Sequence, residues 1–191
     1  MPKASILVII AHDLLEFLSH LHRNSLVHCD LKPPNIVLAR LEGTDSFIPK
    51  MCDFGESTGM EMMKNQTEIN GTQFYHPPEV RNKKGNYGGG VDIWGLGIVL
   101  YLLATGKSIN HPRAFLALNL YGLALPTDLQ PYVEPSPTMP HLGSLRNSTQ
   151  ELNKEQQDLL LDKNGVHLKD TMGKDFLQLL SLMLTVDPVL I

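Results

Sequence analysis

Apolar positions recur at helical spacing over residues 4–23. Ile10, Leu14, Leu18 and Leu21 share one face, and the stretch Ile6-Leu7-Val8-Ile9-Ile10-Ala11 is apolar nearly all round. This pattern predicts a helix buried on several sides and broken by Asn24 and Ser25. Short apolar runs at 36–39 and about 47–52 flank the polar turn Glu42-Gly43-Thr44-Asp45, which predicts a small β-hairpin. Residues 55–78 carry neither period and are rich in Gly, Met and polar residues. A loop of this length is a functional loop or a disordered one. Asn86-Tyr87-Gly88-Gly89-Gly90 predicts a flexible turn. From Asp92 to Thr105 the chain is apolar on every side, as in a buried helix, with Gly106 as its stop signal. Beyond it, 115–120 and 153–161 carry weaker helical patterns, and 126–150, with five prolines, reads as irregular. Phe176, Leu179, Leu180, Met183 and Leu184 form a stripe that predicts a helix over 172–185, ended by Asp187-Pro188. No internal repeat is found.

Composition narrows the classes. The 191 residues, 42% hydrophobic and 19% charged, suffice for one domain with a sizeable core or one lobe of something larger. A net charge of −4 gives no reason to expect binding to nucleic acid or to an anionic membrane. Cys29 and Cys52 make no disulfide framework, and free thiols are expected. The apolar run after Lys3 is too short for a signal peptide, with His12, Asp13 and Glu16 close behind. No segment was expected to approach the roughly 20 apolar residues of a membrane span. The cytoplasm or nucleus is the expected location. The eight histidines show no zinc-binding spacing, and His28 is expected to be a packed, hydrogen-bonded core residue.

The candidate chemistry is concentrated in His28-Cys29-Asp30-Leu31-Lys32-Pro33-Pro34-Asn35. Two prolines stiffen this stretch into a loop, so that an acid, a cation and an amide hold one relative geometry. Asp53-Phe54-Gly55 follows further along. Two acids of this kind, one near an amide and one near a glycine, suit a magnesium-bound polyphosphate. The glycines at 88–90 do not suit one, because no Lys-Ser/Thr follows and Asp92 would repel an anion.

HCDLKPPN resembles the catalytic loop of eukaryotic protein kinases, and DFG resembles their metal-binding motif. Gly71 to Glu79 resembles their substrate-docking loop and APE motif, here PPE. Asp92-Ile93-Trp94-Gly95-Leu96-Gly97 matches their DxWxxG signature. The resemblance covers about 4–106 and 172–188. It implies a mainly α, protein-kinase-like C-terminal lobe with a small β-hairpin and without the N-terminal β-lobe. The whole chain, 1–191, would be a single partial kinase domain with a possible insertion at 107–170. It further implies transfer of the ATP γ-phosphoryl group to a protein Ser/Thr hydroxyl, with ATP and Mg2+ as cofactors and a protein substrate as partner; oligomeric state stays open.

By the same resemblance Asp30, Lys32 and Thr72 are catalytic. Asp30 accepts or orients the substrate hydroxyl proton, Lys32 neutralises charge on the transferred group, and Thr72 contacts both. Lys32, Asn35, Val37 and Asp53 bind the cofactor, with Asn35 and Asp53 as metal ligands. Val37 would floor an adenine pocket, with Ile36, Leu38, Val99 and Leu103 packed beneath it. Asp92 would hold the catalytic-loop backbone, Trp94 would be core, Phe54 would pack, and Gly55 would give its turn backbone freedom.

There are departures from the family. Cys29 stands where many kinases carry an arginine that pairs with a phosphorylated loop, and Glu68 stands near a common phosphosite. Independence from loop phosphorylation is expected. Glu79 normally pairs with an arginine, and the corresponding position is Ile191. No glycine-rich loop, strand lysine or partner glutamate precedes residue 30, so weak ATP affinity is expected of this chain alone. The alternative is a kinase-like interaction module without catalysis.

Overall fold

The computed structural model describes residues 4–44, 46–81, 83, 85–107 and 161–184. Helix α1 (Ala4–Arg23) buries Leu7, Ile10, Ala11, Leu14, Leu18 and Leu21. Its first half is rich in β-branched residues. Their propensity penalty is at most about 0.7 kcal/mol each. Burial of a large apolar side chain stabilises by roughly 1.5–3 kcal/mol, so packing rather than propensity fixes this helix. It ends as the sequence predicts. The Asn24 side-chain amide donates to the His20 carbonyl at 2.8 Å, and Ser25 turns the chain with φ 58°. The expectation about membrane spans needs correcting. With 20 residues at mean hydropathy 1.6, α1 is long and apolar enough to cross a membrane by length and composition. In this fold it packs against the second long helix, over Gly90–Thr105, with Leu7 and Leu18 fully buried in the shared core.

Leu26–Val27 (β1) pairs antiparallel with Thr58–Gly59 (β4). Between them lies the predicted hairpin, Ile36–Arg40 (β2) and Phe47–Met51 (β3), in register Ile36↔Met51 to Arg40↔Phe47. Pro49 is tolerated because each strand of a two-stranded sheet is an edge. The Leu41 N–H donates to the Ser46 carbonyl at 2.9 Å and closes the turn. Asp45 lies outside the described residues.

The stretch 55–78 is more ordered than its composition suggests. Besides β4 it holds the short helix α2 (Met60–Met63). Val27, Cys29, Met63, Val80, Tyr87 and Val91 form a second small apolar cluster there, with Met60 and Ile69 packed against it. A short helix α3 (Pro78–Arg81) precedes α4 (Gly90–Thr105). Helix α4 is buried nearly all round and ends at Gly106 in the left-handed conformation, φ 65°. Trp94 is core, as expected. A short helix that sequence reading did not mark, α5 (Leu168–Met172), is parted by Gly173 at φ 84° from α6 (Lys174–Met183), which answers to the helix predicted over 172–185. Both pack on α4. The helix predicted at 115–120, residues 153–160 of the one predicted at 153–161, the irregular 126–150 and the stop at Asp187-Pro188 lie outside the described residues; Leu161 forms a bridge with His167.

Candidate active site

The loop after β1 is pinned at several atoms. Pro33–Asn35 makes one 3₁₀ turn, and the Asn35 N–H donates to the Lys32 carbonyl at 3.0 Å. Asn35 uses its amide nitrogen twice, donating to the Asp30 carbonyl at 2.8 Å and to Asp30 Oδ2 at 3.1 Å. Lys32 Nζ donates to the same Oδ2 at 2.7 Å. Asp30 Oδ1 accepts from the Thr72 N–H at 2.8 Å and from Thr72 Oγ1 at 2.7 Å. Lys32 Nζ also donates to Thr72 Oγ1 at 3.0 Å, closing a triangle. Asp30, Lys32, Asn35 and Thr72 therefore meet, although Thr72 lies 42 residues from Asp30. Burial pushes the Asp30 carboxyl up, but the hydrogen bonds from Lys32 and Thr72 outweigh it and hold the group below the usual aspartate value.

A second carboxylate fixes the loop from behind. Asp92 is buried at the start of α4. Its Oδ2 accepts from the His28 N–H at 2.8 Å, and its Oδ1 from the Cys29 N–H at 2.9 Å. A buried carboxylate without donors would be costly, and His22 Nε2 supplies a third at 2.9 Å. Sequence reading gave Asp92 its role but missed His22, because no local spacing marks a pair 70 residues apart. His28 is fully buried. Its Nε2 donates to the Cys52 carbonyl at 3.1 Å, and its Nδ1 faces the Asp30 N–H at 3.4 Å. Both contacts are met by the tautomer protonated on Nε2.

Those bonds carry Asp53 to the same end of the hairpin. The Cys52 N–H donates to the Asn35 carbonyl at 2.9 Å, so Asp53 starts one residue from a bond to the catalytic loop. Asp53 is exposed, with φ 62°, a conformation uncommon for a non-glycine residue. Gly55 has no positive φ; instead it gives room, since a Cβ there would lie 3.3 Å from Asp53 Oδ1. Phe54 packs one side on His28, ring centroids 4.8 Å apart, and reaches Phe17 at 6.1 Å, yet stays largely exposed.

Among the described residues no three His, Cys, Asp or Glu side chains converge as a metal cage. Mg2+ keeps water and substrate oxygens and takes only one or two protein ligands. The donor set fits. Both bonds of the Asn35 amide nitrogen go to Asp30, which leaves its carbonyl oxygen as the outward end, and Asp53 adds a carboxylate.

The expected adenine floor is only partly built. Val99 is buried, and Ile36 and Leu103 are partly buried against the core. Val37 is 46% exposed, and Leu38, expected beneath it, is 55% exposed. Successive residues of a strand face opposite sides, so the exposure of both means that neither face of β2 is covered there. A depression at the hairpin tip is lined by Arg40, Glu42, Gly43 and Thr44, at the far end from Asn35.

Cys29 and Cys52 are free thiols, as expected. Burial, then the charges of Asp92 and Glu56, push the Cys29 thiol up to about 12. Its Sγ lies 4.0 Å from Met63 Sδ in the second cluster. Glu68 pairs with Lys83, and Tyr87 Oη donates to the Thr67 carbonyl at 2.9 Å. Glu79 is half-buried and has an interaction of its own.

The family model for the protein kinase domain matches residues 3–189. Calcium-dependent protein kinase 4 of Plasmodium falciparum is 39% identical over 97 residues, 51% of this chain and 18% of that protein. Calcium-dependent protein kinase 27 of Arabidopsis thaliana is 32% identical over 125 residues, 64% of this chain and 25% of that protein. Serine/threonine-protein kinase DCLK3 of Homo sapiens is 36% identical over 105 residues, 55% and 15% respectively. The chain thus spans 25% or less of the length of these relatives.

Proposed function

Given that the chain belongs to the protein kinase domain family, we propose that it supplies the catalytic lobe for transfer of the ATP γ-phosphoryl group to a Ser or Thr hydroxyl of a protein. The observation that carries this reading is the closed Asp30–Lys32–Asn35–Thr72 network. A carboxylate accepting four hydrogen bonds and held below its usual pKa is a weak base. Asp30 therefore orients the attacking hydroxyl more than it deprotonates it, and positioning dominates in phosphoryl transfer. Lys32 Nζ, held between Asp30 and Thr72, is the local cation for charge on the transferred group. Asn35 and Asp53 would hold Mg2+, which when bound neutralises phosphate oxygens. Thr72 beside Asp30 and Lys32 supports hydroxyls of Ser and Thr over Tyr, as does the similarity to serine/threonine-protein kinase DCLK3.

The exposed Val37, Leu38 and Phe47 leave the adenine floor without a roof among the described residues. Weak nucleotide affinity is the corollary, because sites bury about 70–90% of a small ligand. Titration of a fluorescent ATP analogue with and without Mg2+ tests this: weak, Mg2+-dependent binding is expected, and tight binding by this chain alone contradicts it. Labelled phosphate transfer to a generic Ser/Thr substrate, lost in Asp30→Ala, tests catalysis. The same uncovered apolar strip favours a second reading, a kinase-like interaction module without turnover; Mg2+-independent binding and no transfer would support it.

Loop phosphorylation is not needed in this account. An apolar cluster around Cys29 and Met63, with the Glu68–Lys83 pair outside it, ties the 60–69 segment to its neighbours. Phosphatase treatment of an active form should leave activity unchanged, and a large drop would refute the reading.

A further inference from the structure

Asn-Gly occurs twice in the chain, at Asn70-Gly71 and at Asn164-Gly165. The pair is chemically labile, because glycine has no Cβ to shield its backbone nitrogen from the side-chain amide before it. Both asparagines are exposed, so access does not tell them apart. Backbone hydrogen bonding does. The Gly165 N–H donates to the Asp162 carbonyl at 3.0 Å, and the Asn164 N–H donates to Asp162 Oδ1 at 2.7 Å. Those bonds commit the Gly165 nitrogen to its turn. Among the described residues, 68–71 make no backbone–backbone hydrogen bond, and the chain is next held where the Thr72 N–H donates to Asp30 Oδ1 at 2.8 Å.

We propose that Asn70-Gly71 is a site of spontaneous deamidation, and that its isoaspartate product unhooks Thr72 from Asp30. The Gly71 nitrogen loses its proton and attacks Asn70 Cγ; the Cγ–Nδ2 bond breaks, ammonia leaves, and a cyclic succinimide forms. Water opening the ring at Cγ leaves aspartate. Water opening it at the backbone carbonyl leaves isoaspartate, whose main chain is longer by a methylene. The site has no slack for that methylene. A Cβ on Gly71, at φ 123°, would already lie 2.5 Å from the Cys29 carbonyl oxygen and 2.7 Å from His76 Nε2. The added length therefore falls on the Thr72 bonds to Asp30.

Peptide mapping by mass spectrometry tests this on the full chain aged at mildly alkaline pH, with isoaspartate counted by enzymatic carboxyl methylation. In the native protein Asn70 should deamidate about tenfold faster than Asn164 or more, since opening two turn hydrogen bonds slows a reaction by about that factor. In denaturant the two rates should converge. Amide hydrogen exchange reads the consequence. Thr72 protection should fall in proportion to the isoaspartate formed, while Leu96 and Leu100 in α4 stay protected. Asn70→Gln, whose longer side chain closes the ring poorly, should keep Thr72 protected on ageing. Native rates equal or reversed, a gap that persists in denaturant, Thr72 protection unchanged in the isoaspartate form, or the same loss in aged Asn70→Gln would each overturn the proposal. The link to turnover rests on the kinase reading: phosphoryl transfer should decline on ageing in wild type and hold in Asn70→Gln. No transfer even in fresh protein would sink the kinase reading and leave the modification site standing.

Discussion

Replacing Gly71 with alanine should detach the segment that carries Thr72 from the catalytic loop. Gly71 has φ 123°, and a Cβ there would lie 2.5 Å from the Cys29 carbonyl oxygen and 2.7 Å from His76 Nε2. Neither is the free end of a flexible chain: one is backbone, the other a buried ring. The backbone conformation alone costs an L-residue about 1–3 kcal/mol. Overpacking against rigid atoms adds about 1–3 kcal/mol. Against this stand the two bonds from Thr72 to Asp30 Oδ1. Hydrogen bonds to a charged group contribute about 1.5–3 kcal/mol each, nearer the lower figure at a partly exposed site. The two sides are of similar size, so the least costly response is to open the Thr72 contact and keep the core. The expected loss is about 2–4 kcal/mol in urea denaturation, with Thr72 amide protection lost and that of α4 kept. Stability within about 0.5 kcal/mol of wild type, with Thr72 equally protected, would refute the reasoning.

Other tests address single contacts. The Asp30 carboxyl is held below its usual value, so its contribution to stability is present above the unfolded aspartate pKa of about 3.9 and is lost as pH falls through the lower folded value. The stability gap between wild type and Asp30→Asn should be flat at neutral pH and close in acid; a gap that widens in acid contradicts this. Because the Cys29 thiol is buried and raised to about 12, iodoacetamide at neutral pH should modify Cys52 first and reach Cys29 only in denaturant. Comparable rates in the folded protein would count against that. Met63 is fully buried and Met62 is exposed, so Met63→Ala should cost about 2–5 kcal/mol and Met62→Ala under about 0.5 kcal/mol. Equal costs by thermal denaturation would remove the second cluster as a tie on the loop.

The long elements were legible because their instructions are local. The stripe of α1, the all-round apolarity of α4 and the two runs of the hairpin each declare themselves within one window. Gly106 marks the end of α4 as expected. The candidate site was legible through motif spacing at Asp30, Lys32, Asn35 and Thr72, whose side chains do meet. What escaped is tertiary. The β1–β4 ladder joins two-residue strands 31 residues apart, Val27 with Thr58, and no period can appear in two residues. His22 finds Asp92 only once α1 and α4 are packed. The five-residue helix α5 went unmarked because it ends before Gly173, and the apolar stripe begins only at Phe176. Leu38 was placed inside because it is apolar, whereas neither face of β2 is covered at Val37 and Leu38.

The central claim is that residues 30–35 and 53 share one metal–nucleotide site. Paramagnetic broadening by Mn2+ with ATP, read on amide resonances of the full chain, tests it even when binding is weak. The account expects Asn35 and Asp53 to broaden first, well before the carboxylates Asp162 and Asp170, and expects the effect to vanish in Asp53→Asn. Broadening confined to other acidic positions, or the same pattern surviving in Asp53→Asn, would contradict it.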